Sequence, residues 1–221
     1  MKRVTIFAGH YGSGKTNISV NYALRLADEG KAVSIADLDI VNPYFRSKDT
    51  QSLFESRGVK FISSEYANSN VDTPALPADA YSIVADKTRY AVVDVGGDDR
   101  GALALGRYVP EILAENSYEM LFVINKFRPL TADAISTIEV MNEIESACKI
   151  KFTGIVNNSN IGASTTPADV IGSAEYAKKV SELAGIPVKM TTVDQRIYPE
   201  LKSCIDNVMP LKLYVQQSWQ K

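Results

Sequence analysis

The stretch Gly9-His10-Tyr11-Gly12-Ser13-Gly14-Lys15-Thr16 decides the fold. It fills the pattern G-x-x-x-x-G-K-S/T of a phosphate-binding loop, or Walker A motif. The apolar run Val4 to Ala8 before it reads as a strand. After it, Asn17 to Glu29 sets Val20, Leu24 and Ala27 on one helical stripe, with Gly30 suited to the stop. Glycines reach backbone conformations closed to other residues. Gly12, Ser13, Gly14 and Lys15 can therefore turn their N–H groups around a phosphate at the positive end of the following helix, with Gly9 opening the turn. In this arrangement Lys15 contacts the β- and γ-phosphates and the Thr16 hydroxyl ligates Mg2+. The competing reading, a glycine-rich turn with an exposed lysine, does not account for the strand before it and the helix after it.

Outward from the loop, apolar runs recur at Ala32 to Ala36, Val59 to Ile62, Tyr90 to Val95, Met120 to Ile124, Phe152 to Val156 and Pro187 to Met190. Most of the intervals leave room for a helix. Several runs lack alternation, as strands buried on both faces of a parallel sheet require. A second clear helix follows Thr131, a candidate N-cap, with Ile135, Ile138, Met141 and Ile144 at helical spacing. The expected fold is α/β: an open, mostly parallel sheet of about seven strands with helices on both faces, and ligands beyond the strands' carboxyl ends. No linker, charge block or repeat divides residues 1–221, so one nucleotide-binding domain is expected. Ser63 to Ala78, with Pro74 and Pro77, and the Asn-, Ser- and Thr-rich Asn157 to Ala168 read as surface loops.

Composition narrows the function classes. With 24 Lys+Arg against 26 Asp+Glu the net charge is −2, which offers no general attraction to nucleic-acid backbones or anionic lipid, so no nucleic-acid partner is expected. Two cysteines, Cys148 and Cys204, and a single histidine, His10, support neither a disulfide framework nor a Cys/His zinc site. That usage, and an N-terminal apolar run too short for a signal peptide, lead to a cytoplasmic expectation.

Two acidic positions complete the pattern. Asp37-Leu38-Asp39 ends the second strand, and Asp94 closes Tyr90-Ala91-Val92-Val93 before Val95-Gly96-Gly97. In a parallel sheet these carboxylates share an edge with the loop, where they can hold Mg2+ through water or orient an attacking water. The P-loop, Asp-x-Asp and hydrophobic-Asp-x-Gly-Gly together resemble the MinD/ParA/CobQ-type nucleotide-binding domain of the SIMIBI class of P-loop NTPases. The resemblance implies ATP and Mg2+ as ligands. It also implies that Asp39 assists metal binding and hydrolysis beside Lys15, that Asp94 is the Walker B acid, that Gly97 is the switch glycine, and that Asn157 contacts the base.

Departures from that pattern matter as well. Many such relatives carry a lysine directly after the first P-loop glycine, and it reaches the nucleotide of a partner subunit; here His10 stands there, shorter and largely neutral at pH 7. This weakens the case for a nucleotide-sandwich homodimer. Arg46, Arg100 and Arg128 are the arginines that could supply charge at the site. Asn125-Lys126-Phe127-Arg128 begins like the guanine-reading N-K-x-D signature, but Arg128 replaces the acid that would accept from guanine, which favours ATP. The first functional expectation is a Mg-dependent ATPase switch that changes its contact with a protein partner. Alternatives are an ATP-dependent ligase or synthetase of dethiobiotin or cobyrinate type, with substrate contacts from Ser63 to Ala78, and a nucleotide-binding module without useful hydrolysis. In the tail Asp206 to Lys221, Val208, Leu211, Val215 and Trp219 fall at helical spacing; with few basic residues and Pro210 near its start, packing is expected rather than membrane attachment.

Overall fold

The computed structural model describes residues 1–38, 48–63, 81–97 and 99–214. Within them, eight strands form one sheet: β1 (Val4–Ala8), β2 (Val33–Asp37), β3 (Lys60–Ser63), β4 (Tyr90–Asp94), β5 (Tyr118–Ile124), β6 (Gly154–Asn157), β7 (Val188–Asp194) and β8 (Val208–Leu211). Their order is β3-β2-β4-β1-β5-β6-β7-β8, and every neighbouring pair is parallel. The chain runs from β1 to one side, returns through β4 beside β1, and then builds the other side from β5. The strand order therefore reverses at β1, which carries the P-loop. Such a reversal opens a crevice at the strands' carboxyl ends.

The helices are α1 (Lys15–Asp28), α2 (Lys48–Ser56), α3 (Ser82–Ala85), α4 (Asp99–Gly106), α5 (Val109–Glu115), α6 (Ala134–Cys148), α7 (Pro167–Gly172), α8 (Ala174–Ala184) and α9 (Tyr198–Leu201). One face of the sheet packs Ile6, Val93 and Phe122 with Leu105, Ile112, Met141 and Val180 from helices α4, α5, α6 and α8. The other packs Phe7, Val92 and Val123 with Ile18, Tyr22 and Leu26 of α1 and Phe54 of α2. β1 is buried along its whole length, which explains why all of its residues but Thr5 are apolar. At roughly 1.5–3 kcal/mol for each large apolar side chain removed from water, these two layers fix the strand that carries the loop.

Three sequence expectations change in detail. The sheet has an eighth strand where the tail's periodicity suggests a helix. Over β8 burial follows a period of two, with Met209 and Leu211 inside and Pro210 outside, and an edge strand tolerates a residue that has no N–H to donate. Residues 215–221, including Val215 and Trp219, lie outside the described residues. The second change is the N-cap of α6, which is Asp133 rather than Thr131. The Asp133 carboxylate accepts from the Ile135 and Ser136 N–H groups, while Thr131 sits in a preceding 3-10 turn and donates its hydroxyl to the Asn125 carbonyl at 2.7 Å. Third, β7 continues beyond Met190 through Thr191, Thr192 and Val193, whose β-branched side chains are buried.

Beyond β8 the chain is tied to the P-loop helix. The Asn21 side chain accepts from Lys212 N–H at 2.9 Å and donates to Lys212 C=O at 2.8 Å, and Asn17, one turn earlier, accepts from Tyr214 N–H at 3.0 Å. Among the described residues, no helix is long and apolar enough to cross a membrane.

Candidate nucleotide site

Gly9 follows β1, and Gly14 precedes α1 in the left-handed conformation, with φ 92°. The first bond inside α1 runs from Ile18 N–H to the Gly14 carbonyl at 3.2 Å. No side chain caps this end and its first turn carries no acidic residue, so its positive partial charge is not offset locally. Gly12 also has a positive φ, 74°. The Lys15 ammonium folds back and donates to the His10 carbonyl at 3.1 Å, bridging the loop, and Ser13 N–H donates to the same carbonyl at 3.2 Å.

Glycine is required here by neighbours as well as by φ. A Cβ on Gly9 would collide with the Val123 carbonyl oxygen, and one on Gly14 with the Asn158 amide. A Cβ on Gly97 would stand 2.6 Å from the Tyr11 nitrogen, so the chain after β4 lies directly against the P-loop. In the sheet register Asp94 pairs with Phe7 of β1 and with Asp37 of β2. Both acids are buried at the carboxyl edge beside the loop, and the Ser19 hydroxyl of α1 donates to Asp94 at 3.4 Å. Gly9, Gly12, Ser13, Gly14, Lys15, Thr16, Asp94 and Gly97 are thus gathered at one edge. Asp39 lies outside the described residues.

A cleft of about 420 Å³ opens from the loop toward β6, β7 and β8. Lys15, Thr16, Gly12 and Gly14 line its loop end; Phe127, Ile161, Val170, Ile197, Leu211 and Leu213 form apolar walls further along. The volume and lining suit a ligand with a charged end and a flat apolar end. Asn157 does not line this cleft: its amide donates to Ser173 Oγ at 2.9 Å and its carbonyl oxygen accepts from Ser159 Oγ at 2.7 Å. The neighbour, Asn158, lines it instead, donating to the Ser13 carbonyl at 2.6 Å and accepting from Thr192 Oγ1 at 2.7 Å. This single side chain joins the P-loop to β7. Asp194, at the end of β7, is a further cleft residue; one carboxylate oxygen accepts from Arg196 N–H at 2.8 Å. Sequence reasoning missed Asn158, Thr192 and Asp194. The Asn157-Asn158 doublet at a strand end was the available signal, but strand phase decides which of two adjacent side chains enters a cleft.

His10 points its Nδ1 at the Tyr11 carbonyl, 3.0 Å away, and as a carbonyl only accepts, the ring donates there. Of the three arginines singled out, Arg46 lies outside the described residues, as does the side chain of Arg100. Arg128 reaches the site, donating from Nε to the Gly12 carbonyl at 3.0 Å. Among the described residues no group of three or more His, Cys, Asp and Glu side chains is placed to hold a metal. The carboxylate and hydroxyl available near the loop, Asp94 and Thr16, instead match the Mg2+ pattern in which nucleotide oxygens and water supply the remaining ligands. The Ser13 hydroxyl, buried and lacking a hydrogen-bond partner, is consistent with a polar ligand at this loop.

An eight-stranded parallel sheet wrapped by helices, with a Walker A loop at its point of reversal, is the fold of a P-loop NTPase. Solved structures of FtsY share it: FtsY from Mycoplasma mycoides matches with a TM-score of 0.60 at 20% identity, over 87% of this chain and 61% of that one. The cell division protein FtsY from Thermotoga maritima matches with a TM-score of 0.55 at 23% identity, over 87% and 62%. The signal recognition particle receptor FtsY from Elizabethkingia anophelis, solved in complex with GDP, matches with a TM-score of 0.51 at 18% identity, over 87% and 57%. The chain therefore spans about three fifths of the length of these structures. No protein-family model and no curated protein matches the sequence.

Proposed function

We propose that the cleft binds a Mg-nucleoside triphosphate, with ATP preferred, and that slow hydrolysis makes the protein a nucleotide-controlled switch of MinD/ParA type.

The ATP-bound and ADP-bound forms are the two states of that switch, and slow hydrolysis converts the first into the second. The observation that carries this reading is the P-loop itself: two left-handed glycines, the uncapped start of α1 and the Lys15 ammonium folded over the turn, all at the mouth of a cleft with apolar walls.

The preference for adenine rests on where the guanine-reading look-alike goes. The Asn125 carbonyl oxygen accepts from the Phe127 and Asn160 N–H groups, its amide donates to the Asn160 carbonyl, and Arg128 turns to Gly12. Arg128 has only donors and cannot accept from a guanine ring, and Asn125 does not line the cleft. Thr16 and Asp94, with Asp39 by resemblance, would hold Mg2+, which neutralises phosphate charge when bound. Lys15 and the loop N–H groups would orient the phosphates, and the segments 37–46 and 96–101 would change contact with a protein partner as the γ-phosphate is lost. With His10 rather than a lysine after Gly9, and its ring held to the Tyr11 carbonyl, a different protein is favoured over a homodimer.

Titration calorimetry with Mg-ATP and Mg-GTP tests the reading. ATP should bind more tightly than GTP, and Lys15→Ala should weaken ATP by at least about a hundredfold. Equal binding to Lys15→Ala overturns the site; tighter GTP binding overturns the choice of base. Partner capture in ATP but not in ADP would support the switch.

A further inference from the structure

We propose that Arg128 is a phosphate-contacting residue supplied by the same chain, a second fixed cation facing Lys15 across the mouth of the cleft; this rests on the nucleotide reading above. Three observations carry it. First, the guanidinium is held at the loop: Nε donates to the Gly12 carbonyl at 3.0 Å, and a Cβ on Gly12 would lie 3.4 Å from Cζ, so the plane of the group lies close over the loop. Second, its backbone is fixed. Arg128 N–H donates to the Asn125 carbonyl at 3.1 Å, Thr131 N–H donates to the Arg128 carbonyl at 3.0 Å, and Pro129 opens the 3-10 turn that follows. A cation on so short and braced a turn loses little freedom when it meets an anion.

Third, the charge is not spent elsewhere. Among the described residues no carboxylate forms an ion pair with Arg128, and the Gly12 contact uses one of the five N–H donors of the guanidinium. Arg128 and Lys15 line the same cleft, whereas His10 does not. A neutral carbonyl holds the group in place without cancelling its charge. The remaining donors, in a rigid planar fork, match the geometry of a phosphate oxygen pair. Replacing the acid of an N-K-x-D-like segment by arginine thus moves that position from the base to the phosphates.

The test uses the full chain and four probes: ATP, ADP, adenosine and inorganic tripolyphosphate, the phosphorylated ones with Mg2+. Calorimetry on Arg128→Ala should show ATP and tripolyphosphate weakened roughly tenfold or more, ADP less, and adenosine unchanged. Arg128→Lys should recover part of the loss, and the alanine variant should depend less steeply on salt. Equal weakening of adenosine and ATP would mean that Arg128 only braces the loop, and unchanged tripolyphosphate binding would mean that it touches no phosphate; either result overturns the proposal. If the unsubstituted protein binds none of the probes, the nucleotide reading itself fails, a result distinct from an Arg128→Ala variant that binds as well as the parent. Melting temperatures of the variants without ligand identify any loss of fold.

Discussion

The two ends of the cleft are built on different principles. At the P-loop end the backbone sets the shape: glycines at 9, 12 and 14 clear space against Val123, Arg128 and Asn158, and Lys15, Thr16 and Arg128 add side chains to the lining. Toward β6 and β7, asparagine side chains act as struts, with Asn125, Asn157 and Asn158 each bound to other parts of the protein on both sides of the amide. The comparison teaches where sequence motifs come from. A backbone cradle demands one residue type at fixed positions, so it leaves a legible signature; an amide strut can be exchanged for other polar pairs and leaves none.

Four substitutions bear on this contrast. Gly14→Val should have the largest effect, since it places a side chain on the Asn158 amide at a residue with φ 92°. We expect nucleotide binding to be lost and stability to fall by about 2 kcal/mol or more in urea unfolding. Asn158→Ala comes next. It removes the partner of the Ser13 carbonyl and of Thr192, and should cost about 1–3 kcal/mol while weakening ATP roughly tenfold. Were stability to fall with ATP affinity intact, the two ends of the cleft would be independent and the strut description would be wrong.

Asn157→Ala should cost a similar or smaller amount, about 1 kcal/mol or more, by freeing Ser173 and Ser159, yet leave the ratio of ATP to GTP affinity unchanged. A changed ratio would return Asn157 to the base. The smallest effect concerns the cap of α6. Hydrogen bonds from the Ser136 hydroxyl, and then from the Ser136 N–H, hold the Asp133 carboxyl below its ordinary 3.8. A depressed carboxyl contributes stability above its ordinary pKa and loses it as the pH falls through the folded value. Asp133→Asn should therefore melt lower than the parent at pH 7, with the gap closing as the pH is taken below 3.8 in thermal scans.

Much of the fold was readable because buried parallel strands and the P-loop are each driven by one dominant constraint. β1, β4 and the loop between β1 and α1 required little beyond apolar runs and glycines. β8 was hidden by a coincidence, since Val208 and Leu211 are separated by a helical interval while the actual burial alternates through Met209 and Leu211. The cap of α6 shifted from Thr131 to Asp133 because both residues suit a cap and the 3-10 turn, a tertiary feature, chose between them. Among the candidate site residues, those set by backbone shape were placed together. The side of the strand end that faces the cleft, which separates Asn158 from Asn157, depends on a register that no local pattern encodes.

The pair Asn17 and Asn21 has a mechanical meaning. Both lie on the helix that begins with Lys15 and Thr16, and both grip the backbone of Lys212–Tyr214. Helix and trailing segment are coupled in series, so tension applied beyond Tyr214 is felt at the loop. By reciprocity, a ligand that stiffens the loop also stiffens that segment, and any free energy passed between them is the same in either direction.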